Sequence, residues 1–473
     1  MHHLTTFIAG ATPQATHGEV APAVTALFGG ILVLMILCLA FEEKIHAKKS
    51  LITGVFAAIS LLCATAAGLL PFGPVVNVFH ESIRLPIYIP AVDWGVIAII
   101  VGASIFVDVT SKSGLFSWVA LRLTKRSGGD PAKLLIYYGV MTVVFSAVLN
   151  NVTAMIIVGS LTGVSLKRLG REDKLLGFLM VDGLLTNVGG LLTLISSVPN
   201  IIVGALAGIS FVRFFIVAAP FVVVATAVTL WMGMRAFSIG RLTGDDEKRE
   251  AAELVAGFDE NDGVPSRAFF KYSIALFLLL IVCFALQSVL PLLDELGMGF
   301  VALLFGVIAL VRYRHDVDKF YAALDWDLIA FFGSLFVVIN VMEHARVLHV
   351  LGEGIAVLTD FGPRAGAGAI LLSSGVASSV TDNIPLAAML GKILHGMGDQ
   401  AAPSFWWGVI FGANLGGNIT PIGSASTVVA VTMMHKYGIA MPFVKFVTLA
   451  AKFAVVQLAL ATIYVVLVLG GTA

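Results

Sequence analysis

Charge is scarce in this chain. Asp, Glu, Lys and Arg make up 12% of 473 residues, and the formal net charge is zero. A soluble domain needs a polar skin, because even a large core leaves much of its surface in water. Nor does the balance leave a basic excess for a nucleic-acid partner. Cysteine is equally sparse: Cys38, Cys63 and Cys283 stand alone inside apolar runs and read as packing residues, with no metal or redox pairing. No phosphate-binding G-x-x-x-x-G-K-[ST] loop occurs, so any ATP drive would require a separate ATPase partner. No basic segment precedes the first apolar run, which therefore reads as a retained helix and not a cleaved signal. No cofactor is expected beyond a coupling ion, H+ or Na+.

What the chain has in abundance is apolar sequence, 58% of residues, with a mean hydropathy of +0.98. Runs of about 18 or more such residues cross a hydrocarbon core of ~30 Å as helix. Hydropathy places ten spans at about 21–41, 51–71, 92–108, 175–208, 212–234, 270–290, 297–311, 326–342, 403–435 and 441–469. Two apolar stretches remain, 134–165 and 365–396, each interrupted near its middle by Asn150-Asn151 or Asp382-Asn383. Their arms, about 14 to 16 residues, are too short for a full crossing.

Lysine and arginine placement orients these segments. Lys44, Lys48 and Lys49 follow the first span, so the N-terminus is expected outside. Arg122, Lys125, Arg126 and Lys133 then precede the first interrupted stretch, and Lys167, Arg168, Arg171 and Lys174 follow it. Both its ends are thereby cytoplasmic, which makes it a re-entrant hairpin. The second stretch, with few basic flanks, enters from outside. The expectation is a multi-pass protein of the cell inner membrane with both termini non-cytoplasmic. Non-helical backbone at such depth requires cover by protein or a wet cavity.

The chain also repeats itself. Residues 186–197 align without a gap on residues 413–424, both reading N-x-G-G-x-x-T-x-I-x-S. The tips Asn151 and Asn383 correspond, as do Asp93-Trp94 and Asp325-Trp326. Because the units start from opposite sides, they are inverted. Such repeats place a substrate site near the midplane, between discontinuous helices whose N-termini carry positive dipole. Gly189, Gly190, Gly416 and Gly417 permit close backbone approach, and Pro199, Pro385 and Pro421 are expected to interrupt the helical ladder. The fold class is thus all-α and polytopic, with two inverted repeats, about ten transmembrane helices, two re-entrant hairpins and two discontinuous helices. The expected segments are 1–91 (scaffold and dimerisation helices), 92–235 (first repeat), 236–268 (cytoplasmic linker), 269–324 (scaffold helices) and 325–473 (second repeat).

At these residues the chain resembles the ion transporter superfamily, in the branch of arsenite permeases, NhaD antiporters and the melanosomal P protein. The resemblance is carried by 92–116, 148–160, 186–211, 381–389 and 412–431. It implies two pseudo-symmetric coordination sites. One lies between Asn150, Asn151 and Thr153 and the break at Ser196, Ser197, Pro199 and Asn200. The other lies between Thr381, Asp382 and Asn383 and the break at Thr420, Gly423, Ser424, Ser426 and Thr427. It also implies elevator-like alternating access and a homodimer in the membrane lipid.

Antiporters of that branch carry Asp where this chain has Asn150, and often where it has Ser197. With Asp382 the one remaining carboxylate in the expected site, the neutral lining suits proton-coupled efflux of arsenite, antimonite or a similar inorganic ion. Sodium–proton antiport and sodium-coupled carboxylate transport are the alternatives.

Asp382 is the expected proton-coupling residue, since a carboxylate within a membrane is costly and points to function. Asp182, inside the span before the first break, either relays protons or pairs with a neighbour. Asp108 and Glu343, at span ends, are expected to snorkel to water. Asp182 and Asp382 together would also suit an intramembrane aspartyl protease, but the paired breaks would then be unexplained, and no enzyme is expected. A channel would assemble identical hairpins around an axis, which inverted units in one chain do not.

Overall fold

Apolar runs of this length satisfy their backbone in hydrocarbon by coiling into helices. The computed structural model describes residues 20–71, 74–76 and 80–470, and most of them are helical. One antiparallel ribbon, β1 (Pro74–Val76) with β2 (Ser82–Arg84), is the exception. Before it run α1 (Pro22–Ala40), the single turn α2 (Glu42–Ile45) and α3 (Lys49–Ala66). The first repeat comprises α4 (Trp94–Ser111), α5 (Leu115–Ser127), α6 (Pro131–Val148), α7 (Asn151–Arg168), α8 (Leu175–Gly189), α9 (Val198–Leu206) and α10 (Phe211–Ala236). Four helices follow: α11 (Asp245–Ala256) in the charged connector, α12 (Arg267–Leu286), α13 (Pro291–Val311) and α14 (Val317–Ala323). The second repeat runs through α15 (Trp326–His344), α16 (Val347–Thr359), α17 (Gly362–Val380), α18 (Asn383–Gly396), α19 (Pro403–Gly416), α20 (Ala425–Lys436) and α21 (Phe443–Tyr464). A π-helical turn carries α21 on to Leu469.

The repeats match element for element, down to local chemistry. Asp93 caps α4 by accepting from the Val96 amide, and Asp325 caps α15 by accepting from Leu328. Each following tryptophan turns its indole N–H back onto a carbonyl five residues earlier: Trp94 to Ile89, Trp326 to Tyr321. A left-handed residue, Gly114 or Arg346, precedes the 13-residue helices α5 and α16. The hairpins α6–α7 and α17–α18 are also tied to the following helices alike. Ser146 donates to the Thr186 carbonyl and Ser378 to that of Ala413, each at 2.6 Å. Thr193 donates to Ala147, and Thr420 to Ser379.

Nine helices among the described residues are long and apolar enough to cross a membrane: α1, α3, α4, α6, α10, α12, α13, α15 and α21. Eight coincide with expected spans. The ninth, α6, is a hairpin arm. The arms α6, α7 and α17 have 18, 18 and 19 residues, longer than expected, and α18 has 14. The extra turns lie at the arms' outer ends, where Lys133 and Lys167 extend the helices beyond the apolar stretch that hydropathy detects. The remaining two crossings are the broken pairs α8–α9 and α19–α20. Gly297 (φ 74°, ψ 170°) is non-helical and divides α13 into a short segment from Pro291 and a longer one that begins where the span is expected, near residue 297.

Small residues set the closest helix contacts, as expected where lipid offers no hydrophobic drive. A Cβ on Gly102 of α4 would fall 2.3 Å from the Ala302 backbone of α13, and one on Gly416 of α19 would fall 2.1 Å from the Gly375 carbonyl of α17. Two apolar clusters result. One surrounds the broken helices and contains Phe178, Phe221, Phe411 and Phe453. The other joins α1, α3 and α15 through Phe28, Phe332 and Leu335, and takes in Ile384 and Met389 of α18.

Lys133 and Lys167 are exposed at the two ends of the first hairpin. Cysteines substituted at both are expected to react with an impermeant maleimide from the cytoplasmic face alone. Reaction of either from the opposite face would contradict the re-entrant topology.

Candidate functional site

Each hairpin reverses over two residues, and a side chain caps the helix that follows. Asn150 accepts from the Thr153 amide at 2.8 Å, and Asp382 accepts from Ile384 at 3.0 Å. Each broken helix restarts after a serine in extended backbone, Ser197 ahead of α9 and Ser424 ahead of α20. Pro199 and Pro385 do not interrupt a ladder, as the sequence suggests. Both sit in a first helical turn, where the missing N–H costs nothing. Only Pro421 lies within a break.

The tips and breaks converge on one cavity of about 690 Å3. Asn150, Asn151, Thr153, Ser196, Ser197, Asp382, Asn383, Ser424 and Ser426 line it, so the two expected coordination sites share a single chamber. The first turns of α7, α9, α18 and α20 all face this chamber. Asn200, Thr420, Gly423 and Thr427 are not among its lining residues. Asn200 donates to the Gly190 and Thr193 carbonyls, and Thr427 to Pro421 and Ser424, which keeps the unwound backbone satisfied.

The repeats are stitched together reciprocally. Asn187, before the first Gly-Gly pair, donates to Ser424 Oγ of the second break at 2.9 Å. Its counterpart Asn414 accepts from Ser197 Oγ of the first break at 2.7 Å. Asn414 also donates to Asn200, and Asn187 to Asn418, at 2.9 and 2.8 Å. Both amides are fully buried. Gly190 leaves room for this network, since a Cβ there would lie 2.6 Å from the Asn151 amide.

Asp382 is not a lone carboxylate, contrary to the sequence reading. The Lys49 ammonium, from the start of α3, lies 2.5 Å from its Oδ2 and 3.7 Å from Glu42. Asp108, Asp325 and Asp327 also line the chamber, toward the loops before α3 and α15. Asp108 faces Lys112 at 3.6 Å, Asp325 caps α15, and Asp327 accepts from Ser50. Sequence reading missed Lys49 as a site residue because it counts there only as a basic flank, and its partner is 333 positions away.

Asp182 lies outside the chamber, fully buried between the arms of the first hairpin. Thr162 is 3.0 Å from its Oδ2 and Thr142 is 3.2 Å from its Oδ1. Both hydroxyls donate to the carboxyl group, and Thr142 also lies 2.8 Å from the Tyr138 carbonyl. A Gly-x-Gly-Asp run, residues 396–399, lies on the exposed turn after α18, remote in sequence and element from Asp182. Among the described residues no cluster of three or more His, Cys, Asp or Glu could hold a metal ion.

Inverted repeats, re-entrant hairpins and a chamber between broken helices define a membrane transporter. The chain belongs to the CitMHS family, whose profile, described as "Citrate transporter", matches residues 16–410. Among relatives, an "Uncharacterized transporter" of Mycobacterium tuberculosis, Rv2684, is 30% identical over 378 residues, covering 79% of this chain and 86% of that protein. The human "P protein" is 23% identical over 510 residues, 92% of this chain and 58% of that protein. The solved structure of the YdaH transporter of Alcanivorax borkumensis, at 13% identity, shares the fold with a TM-score of 0.55, covering 95% of this chain and 99% of that one.

Losing the stitch leaves buried partners unpaired, which costs about 1–3 kcal/mol. Asn187→Ala and Asn414→Ala are each expected to lower thermal stability in detergent by that amount, whereas Thr432→Ala, on an exposed face, should cost less than about 0.5 kcal/mol. Equal losses in all three would contradict the stitch.

Proposed function

We propose that this protein is a cation-coupled secondary transporter of a small carboxylate anion such as citrate, working by elevator-like alternating access. The observation that carries this reading is the convergence of four helix N-termini on one chamber. Each end contributes up to about 1 kcal/mol toward an anion, and more where water is excluded. Four together supply on the order of 4 kcal/mol, roughly a thousandfold in affinity. Size supports an organic ligand: pockets for small molecules span about 300–1,000 Å3, and the chamber falls in that range. Membership of a family described as citrate transporters supports the same class.

Asp108 is paired with Lys112, while Asp325 and Asp327 are held by the neutral Leu328 amide and Ser50; the coupling cation carried with the anion offsets the negative charge they retain. Asp382 is the group that exchanges a coupling proton, and Asp182, outside the chamber, serves the packing of the first hairpin. The neutral Asn, Ser and Thr lining favours a second reading, efflux of arsenite or antimonite, since arsenous acid is uncharged near neutral pH. Assembly as a homodimer through helices outside the two repeats belongs to the same proposal.

Proteoliposomes carrying an imposed proton gradient separate these readings, with labelled citrate, arsenite and sodium offered in turn. Citrate is expected to accumulate, and Asp382→Asn to abolish its uphill accumulation. Asp182→Asn, whose amide can both donate and accept, should retain it within about threefold, under 1 kcal/mol. Arsenite or sodium flux without citrate flux would overturn the carboxylate reading.

A further inference from the structure

The pair Lys49–Asp382 stands outside the symmetry of the repeats. The counterpart of Asp382 is Asn150, which is uncharged, exposed to the chamber and bonded to its own Thr153 amide. The second hairpin tip is therefore held by an ammonium, while the first is not. That ammonium comes from α3, which belongs to neither repeat and packs with α1 and α15. Ser50, the next residue, donates to Asp327 at the start of α15, so the corner before α3 is fixed on that helix. The bond thus joins a helix outside the repeats to a hairpin tip inside the transport chamber.

Both oxygens of Asp382 are engaged in this arrangement. Its Oδ1 accepts from the Ile384 amide and its Oδ2 meets Lys49. The other charged groups lining the chamber are Glu42 from α2, Asp108 from α4, and Asp325 and Asp327 at the start of α15. All are acidic, so among the described residues Lys49 is the one cation in the lining. Removing one member of a partly buried pair leaves the other uncompensated, which is costlier than removing both.

We propose that Lys49 is a positioning residue that latches the second hairpin to α3 in the substrate-free state. A cation arriving at Asp382, a proton or a metal ion, displaces the Lys49 ammonium, and only then does the hairpin leave α3. The latch explains how coupling is enforced: a hairpin whose Asp382 carries no arriving cation stays bound to Lys49 and does not move. It rests on the alternating access proposed above, but not on which anion is carried.

The test uses the full chain with Cys38, Cys63 and Cys283 replaced by Ala and one reporter, Thr381→Cys, beside the latch and partly exposed. An impermeant maleimide is applied without substrate to membrane vesicles of each orientation. With Lys49 present, and in Lys49→Arg, the reporter is expected to react from one face alone. In Lys49→Gln and in Asp382→Asn, where Asn still caps α18, reaction from the silent face should rise at least about tenfold as the population shifts. The double variant, with neither charge to strand, gives the same reading should a single one fail to reach the membrane. One-sided reaction at the parental rate in these variants would overturn the latch. Two-sided reaction in variants of a protein that carries no citrate would leave the latch standing and remove only the carboxylate reading.

Discussion

Two buried asparagines hold this architecture together. Asn187 and Asn414 each reach from one broken helix into the break of the other repeat, onto Ser424 and Ser197. Breaking a helix in hydrocarbon frees amides and carbonyls that cost several kcal/mol if unpaired. The carbonyls freed at each break are met within its own repeat, by Ser196 and Asn200 in the first and Thr427 in the second. Asn187 and Asn414 then tie the side chains of the two breaks to each other. The constraint that shapes the chamber is therefore a polar one, in a protein that is mostly apolar.

From that stitch the rest follows. Locking two breaks against each other sets four short helices with their N-termini toward one space, and the hairpins cap that space with Asn150 and Asp382. The glycines are placed where this geometry demands contact: Gly190 under the Asn151 amide, and Gly416 against Gly375. Where the tips and breaks meet, the chamber presents helix ends and neutral Asn and Ser side chains beside its charged groups. Lys49 and Asp382 then add a single ionic contact, where the repeats are least alike.

Much of this was legible in the sequence, because inverted duplication writes the same pattern twice. The Asn-Gly-Gly pairs located both breaks, and Asn150-Asn151 and Asp382-Asn383 located both tips within a residue. Basic residues separated hairpins from spans where hydropathy could not, since α6 alone is long enough to count as a span. What stayed hidden was long-range and chemical. Nothing local marks Lys49 as the partner of Asp382. The merging of two coordination sites into one chamber depends on packing that no repeat alignment encodes. Proline was misread for a related reason: Pro199 and Pro385 disrupt a helix only in its interior, and interior versus first turn is decided by where Ser197 and Asp382 cap.

The neutral Asn, Ser and Thr positions read from the sequence suit an uncharged metalloid, whereas the four convergent helix ends support the carboxylate proposed above. The most direct measurement is a structure of the full protein at saturating citrate. The account predicts carboxylate density among the first turns of α7, α9, α18 and α20. Density confined to the loops outside the chamber, or an unchanged chamber at saturation, would contradict it.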